Sequence, residues 1–445
     1  MFDKVLELIE ENKLAAARKE MLEMNVVDIG QLLEEVPQAK MLRLFRMLPK
    51  ETAAETFSFM NKDSQQYIVE SITDHEMEGI IDELFMDDTV DLIEEMPANV
   101  VKKVLKNTDE AKRRLINRLL QYPDDSAGSI MTTEFVDLKK EMSVSDALDH
   151  IRKTGVDKET INTCYVINAQ RKLEGTVSIR HLILSEPDAT VSDLMDTNVK
   201  FIKTLDDQED VAFLFRKYDL LSMPVVDNEN RLVGIITIDD VVDVIEQENT
   251  EDFHKMAAIA PSEETYLDTG VFALAKNRIV WLLVLMISAT FTGLIIRHFE
   301  GTLSQVVALS AYIPMLMGTG GNAGAQSSTT IIRSLALNEL EFKDLLRVVW
   351  KELRVGILTA AMLAVVNFAR IMLFDRVQPL IALTVCLSLF CIVTLAKVVG
   401  GILPLIAKKV HLDPVIMASP IITTILDAVS LIIYFMFATS ILGIA

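Results

Sequence analysis

A single carboxylate, Asp427, interrupts the apolar run from Pro414 to Ala445. A charge in such a setting is costly unless it faces water, a cation or a partner. Thr423, Thr424 and Ser430 lie within a helical turn of it, and Ser419 and Pro420 continue the face about two turns earlier. A hydrogen bond from a Ser or Thr hydroxyl is the purely structural alternative. A second unusual stretch is Gly318-Thr319-Gly320-Gly321-Asn322-Ala323-Gly324-Ala325-Gln326, followed by Ser327, Ser328, Thr329 and Thr330. Its small residues suit close helix packing. Asn322 and Gln326, four apart, share a face that the hydroxyls extend, which reads better as the lining of a wet cavity. No catalytic triad, zinc-type cluster or phosphate loop accompanies them, so an enzyme is not expected.

The elements that must position these groups are membrane spans. Five apolar stretches follow residue 278: Ile279–Ile296, Gly301–Ile332, Val355–Phe374 (broken only by Arg370), Val377–Ala407 (only by Lys397) and Pro414–Ala445. Each reaches the roughly 20 residues that cross a bilayer as a helix. Lys276 and Arg278 flank the first stretch on the side of the N-terminal domains. The second-to-third connection carries Arg333, Lys343, Arg347, Lys351 and Arg354, and the fourth-to-fifth carries Lys408 and Lys409. The opposite side has little beyond Arg297 and Arg376. This asymmetry predicts cytosolic N-terminal domains and a C-terminus outside the cell membrane. His298 and His411 fall at span ends, where a solvated histidine is expected.

Charge divides the 445-residue chain in the same place. Residues 276–445 hold 13 Lys and Arg against 8 Asp and Glu, whereas the rest holds 30 against 56. An acidic surface repels nucleic acid and attracts cations, although a merely solubilising surface has the same composition. The three cysteines offer neither a disulfide framework nor a zinc spacing. The amphipathic, acidic start of the chain lacks the character of a cleavable signal.

Residues 1–125 read as an all-α superhelix of short units, with hydrophobic–Pro stops at Val36-Pro37, Leu48-Pro49 and Met96-Pro97. Asp87, Asp88 and Asp91, on its last units, are expected on a solvated face. From about residue 126 an α/β pattern appears twice, over 126–190 and 191–246. Met131 and Met195 are 64 residues apart, and Gly175 and Gly234 are 59 apart. An apolar strand, a polar turn, a Leu-x-Gly strand and a helix resemble a CBS domain, and such domains in tandem commonly sense ligands. The acidic segment from Asp239 to Asp252 has no Lys or Arg and keeps helical apolar spacing. Glu248, Glu251 and Asp252 share one of its faces. Two such charges about 6 Å apart repel by roughly 2–3 kcal/mol at an effective dielectric near 20. Packing that face against other acidic loops would call for a bridging cation. Magnesium suits the role, because it binds a few carboxylates while keeping several waters.

Together these residues resemble the MgtE family of magnesium channels across essentially the whole chain. The most specific motifs are Pro314 to Gln326 and Asp413-Pro414 followed by Asp427. The resemblance implies a multidomain membrane protein: a superhelical N domain, a CBS pair, a connecting "plug" helix over 247–275 and a five-helix transmembrane domain over 276–445. It implies a homodimer in lipid with the pore on its two-fold axis. Hydrated magnesium would be held by Asp427, with Ser419, Thr423, Thr424, Asn322 and Gln326 lining the path. Regulatory magnesium would be held by Asp87, Asp91, Asp207, Glu209, Asp219, Asp240, Asp243, Glu248, Glu251, Asp252 and Asp413, closing the pore when intracellular magnesium is high. Members often have Asn where Ser419 stands. An adenosine nucleotide such as ATP is implied at the CBS pair beside Arg180, although Leu220 stands where an aromatic would stack. Two rival readings remain: a secondary transporter of divalent cations, and a CBS-type sensor on a passive membrane anchor.

Overall fold

A computed structural model describes residues 2–262, 266–267 and 269–443, without the side chains of Glu10 and Ser419. It divides into two compact units, Met1–Ile245 and Glu246–Ala445.

The first unit begins with ten short helices between Phe2 and Leu119. Pro37, Pro49 and Pro97 each stand at the N-cap of the following helix, with φ between −56° and −61°. Each proline thus ends one helix and presets the next. Alternate helices stack, Val26–Glu34 on Lys50–Ser58 and that on Asp74–Glu83. Lysines close helix ends: Lys103 Nζ donates to the carbonyl of Val69 at 2.6 Å, and Lys112 Nζ to that of Leu84 at 2.8 Å. A cation there satisfies orphan carbonyls and complements the helix dipole.

Two three-stranded sheets follow: β1 (Phe135–Leu138), β2 (Thr160–Ile167) and β3 (Leu173–Ser178), then β4 (Ile202–Lys203), β5 (Ser222–Val226) and β6 (Leu232–Thr237). In each, the first pair is parallel and the second antiparallel. The repeats exchange contacts reciprocally. Thr132 bridges to Ile235 in β6, and Asp196 to Thr176 in β3. A Cβ on Gly175 would meet Met195 Sδ at 2.9 Å, and one on Gly234 would meet Met131 Sδ at 2.7 Å. Each Leu-x-Gly glycine therefore admits the methionine of the other repeat. Tyr165 and Ser222, joined by their hydroxyls at 2.8 Å, cross the same interface.

The connecting helix runs Ile238–Met256, earlier than the expected 247–275. The next helix starts at Val271, and residues 263–265 and 268 of the expected span lie outside the described residues. The helical second unit contains Val271–His298, Ile313–Ala336, Leu345–Arg370, Pro379–Lys409 and Ser419–Leu442, called here the first to fifth membrane helices. Among the described residues, four helices have the length and apolar character to cross a bilayer; the second membrane helix is not one of them. The second span, expected over 301–332, instead has a short helix, Glu300–Gln305, and a 3-10 turn before Ile313. Pro314 at its first turn fixes that start.

Glycines join the second, fourth and fifth membrane helices. A Cβ on Gly324 would strike Leu426, and one on Gly400 would strike the backbone carbonyl of Gly324. Backbone cannot step aside as a side-chain tip can, so the Gly400→Ala variant is expected to lose about 1–3 kcal/mol of stability through overpacking. Gly293, with nothing within 4 Å of its Cβ position, is the control. Thermal unfolding in detergent should show Gly400→Ala melting lower and Gly293→Ala unchanged; equal melting would refute this packing.

Candidate ion path and acidic clusters

The second and fifth membrane helices enclose a cavity of about 360 Å³ lined by Ile313, Pro314, Met317, Gly318, Gly321, Asn322, Thr423 and Asp427. Asp427, Thr423 and Asn322, three of the residues expected on the path, thus meet in one space. Gly321 lets the fifth helix close in, because a Cβ there would meet Thr423 Cγ2 at 3.0 Å. The hydroxyls of Thr423 and Thr424 both donate to the carbonyl of Pro420, at 3.0 and 2.8 Å. Their oxygens keep lone pairs to offer as acceptors. Thr424 is half-buried but does not line the cavity. Ser419 opens the fifth helix, and its side chain lies outside the described residues.

The glycine-rich helix has a packed side and an exposed side. Gly320, Gly321 and Gly324 are buried against neighbours, whereas Pro314, Gly318, Asn322, Gln326, Thr329 and Thr330 form an exposed stripe. Gln326 departs from the expected lining: it is outside the cavity, and its side-chain oxygen accepts from Lys397 Nζ at 2.8 Å.

In the first unit, Asp87 is buried rather than solvated, at 8 % exposure. Burial raises its carboxyl well above the ordinary range, and the charges of Asp240, Asp88 and Glu159 add to this. Burial foremost, with Asp239 next, raises Asp88 to about 6. Burial first, then Asp88 and Asp240, raise Asp91 to about 7, although its side chain reaches solvent. Glu159 is pushed to about 8 by burial, Asp239 and Asp240, and its Oε2 is buried without a hydrogen-bond partner. Asp240 is raised to about 6, mainly by burial, against a 2.8 Å hydrogen bond from Thr237. Among the described residues, no group of three or more His, Cys, Asp or Glu is arranged to hold a metal directly. The cluster does have the donor set that a hydrated hard cation requires, including an orphaned carboxylate oxygen. Glu159, Asp88 and Asp239 were missed at the sequence level, and no spacing links Glu159 to the helix carrying Asp87.

In the second unit, Asp252 feels the charges of Asp413, Glu248 and Glu251. Burial first, then Asp413, raises Asp252 to about 6; Glu248 and Glu251 add smaller repulsions. Lys255 Nζ bridges Glu251 and Asp413, at 2.9 Å each. That ammonium does part of the work assigned to a bridging cation. Its signal was available only as the i, i+4 spacing from Glu251.

The remaining expected carboxylates of the first unit lie apart from the cluster around Asp87, three of them at the ends of one helix. Asp207 caps the helix Gln208–Tyr218, accepting from the Glu209 backbone at 2.8 Å, with Glu209 in the first turn. Asp219 ends that helix in the left-handed region, at φ 50°. Asp243 lies exposed on the connecting helix. Arg180 is exposed in the short helix after β3, and Leu220 packs on the core.

A carboxylate-bearing cavity in a unit rich in membrane-length helices, in a chain that also carries two acidic clusters, has the chemistry of a divalent-cation transport protein. The sequence matches the family models for a divalent cation transporter (residues 313–437), the MgtE intracellular N domain (24–125) and CBS domains (127–186 and 191–247). It is 35% identical over 432 residues to the magnesium transporter MgtE of Thermus thermophilus, covering 96% of this chain and 95% of that one. The Bacillus subtilis magnesium transporter MgtE is 33% identical over 437 residues, with 98% and 96% covered. A solved cytosolic domain of the Mg2+ channel MgtE in complex with ATP shares 32% identity, at a TM-score of 0.52 over 55% of this chain and 100% of that one. The chain belongs to the MgtE family.

The clustered carboxyls have a consequence for stability. Their native values lie above the ordinary 3.8 to 4.5 of Asp and Glu. The stability they contribute is therefore complete below about pH 4 and lost as pH rises through about 6 to 8. Without divalent cations, the soluble part should melt about 5 °C or more higher at pH 5.5 than at pH 8. Scanning calorimetry tests this; a melting temperature that is flat or rises with pH would contradict it.

Proposed function

We propose that this protein is a magnesium channel of the cell membrane that imports Mg2+ and is closed by intracellular Mg2+. The carrying observation is the cavity shared by Asp427, Asn322 and Thr423. Water molecules around Mg2+ point their hydrogens outward, so a carboxylate, an amide oxygen and a hydroxyl suit an ion that sheds water reluctantly. Asp427 supplies the attraction; the neutral groups orient the hydration shell. The exposed polar stripe of the second membrane helix is ill suited to lipid. A second copy meeting it on a two-fold axis would turn it into a water-filled path. The basic connections favour N-terminal domains in the cytosol and a C-terminus outside.

For closure, hydrated Mg2+ would join the cluster around Asp87, Asp91 and Asp240 and the one around Glu248, Glu251, Asp252 and Asp413. Neutralising crowded carboxylates favours whichever state packs them together, and that differential affinity shifts the gating equilibrium. An adenosine nucleotide at the CBS pair is proposed from the ATP-bound relative, with Arg180 near its phosphates. A passive anchor is disfavoured, because it would need neither the cavity nor a half-buried Asp427.

Magnesium uptake into liposomes tests the path. Asp427→Asn keeps shape and removes charge, and should lower flux at least tenfold, the minimum expected from losing a full charge beside a divalent ion. Near wild-type flux in a dimer of normal size would refute it. Gating is tested separately: replacing Glu248, Glu251 and Asp252 with Ala should leave channels open at millimolar internal Mg2+. Closure at the wild-type concentration would refute the regulatory role.

A further inference from the structure

Lys397 is 7 % exposed in the middle of the fourth membrane helix. Its neighbours on the second and third helices form a small polar network. Ser327 donates to Glu352 Oε2 at 2.6 Å, while Lys397 holds Gln326 at 2.8 Å. Two glycines make room for it. A Cβ on Gly356 would meet Thr394 Cα at 3.1 Å and Lys397 Cβ at 3.4 Å, and one on Gly401 would meet Glu352 Cγ at 3.0 Å. Ion pairs and buried charges in such a setting need a reason. Packing is a poor one, since apolar residues of similar volume commonly serve as well.

The chemistry of the Lys397–Gln326 contact supplies a better reason. An ammonium has donors only, so the atom of Gln326 facing it must be the amide oxygen. The amide NH2, also donor-only, is then the end left at the exposed stripe shared with Asn322. Hydrated cations present hydrogens to the wall, and an NH2 group cannot accept them. Gln326 thus offers its donor end on the stripe between Asn322 and the hydroxyls of Thr329 and Thr330.

We propose that Lys397 is a positioning residue for permeation: it withdraws the Gln326 oxygen from the path, so that a hydrated divalent cation leaves the Asp427 site without being caught again one turn further on. Glu352 compensates the buried ammonium and is itself held by Ser327. Conduction requires binding strong enough for entry and weak enough for exit, and this arrangement serves exit. The inference rests on the channel reading above.

Single-channel currents carried by Mg2+ through the full-length protein in planar bilayers test it. In Lys397→Met the freed oxygen turns toward the path. Both the saturating current and the half-saturating Mg2+ concentration should fall about three- to tenfold, the worth of one hydrogen bond. A variant that merely loosened the bundle would not lower both together. Adding Gln326→Leu should abolish the difference between Lys and Met at 397, because no oxygen is left to turn. The charge-neutral pair Lys397→Met with Glu352→Gln provides the same readout should the single variant fail to fold. Unaltered currents in these variants, or an equal effect of Lys397→Met with and without Gln326, would overturn the role of Lys397 while leaving the channel reading intact. A wild type that passes no Mg2+ current would overturn both.

Discussion

The cost of keeping a carboxylate charged away from bulk water governs this protein. Asp427 is half-buried among largely apolar helices, where a charge would require water, a cation or a partner. The surrounding architecture follows from that requirement. Glycines bring the second, fourth and fifth helices together on one side, so the cavity is narrow. The exposed stripe of the second helix stays polar, and it brings Asn322 to the cavity wall. The same stretch must be small for packing and polar for solvation, which is why it falls short of the apolar character of its four companions.

The same cost is turned to another use in the soluble part. Asp87, Asp88, Asp91, Glu159 and Asp240 crowd one another in the first unit, and their raised values measure how poorly that region tolerates its own charge. A region that is uncomfortable without counter-charge responds to whatever supplies it, a proton or a divalent ion. Lys255 bridges Glu251 and Asp413 directly, whereas at the other cluster Lys112 acts on Asp88 only through its charge. The two clusters thus differ in how much they would gain from a cation. Linkage of this kind converts ion concentration into conformational preference.

Much of this was legible in the chain. The spacings of 64 and 59 residues announced a duplicated unit, and the structure explains why both are kept: each methionine seats on the glycine of the other repeat. Asp427 and Asn322 were legible because charge and amide stand out within apolar runs. What escaped depends on partners far apart in sequence. Asp87 was read as solvated together with Asp88 and Asp91; its burial is decided by tertiary packing. Gln326 shared a helical face with Asn322, yet Lys397 claims its oxygen. The acidic helix read from Asp239 is there, starting at Ile238 just after β6, but the boundary drawn at 247 cuts through it.

The central claim is that Mg2+ passes by diffusion along a carboxylate-lined path rather than by a carrier cycle. Single-channel recording of the wild-type protein, with Mg2+ as the sole permeant cation, tests this most directly. The account predicts discrete current steps that vanish as Mg2+ on the cytosolic side is raised. Magnesium uptake without resolvable unitary steps, proceeding at a rate fixed by a turnover cycle, would contradict it.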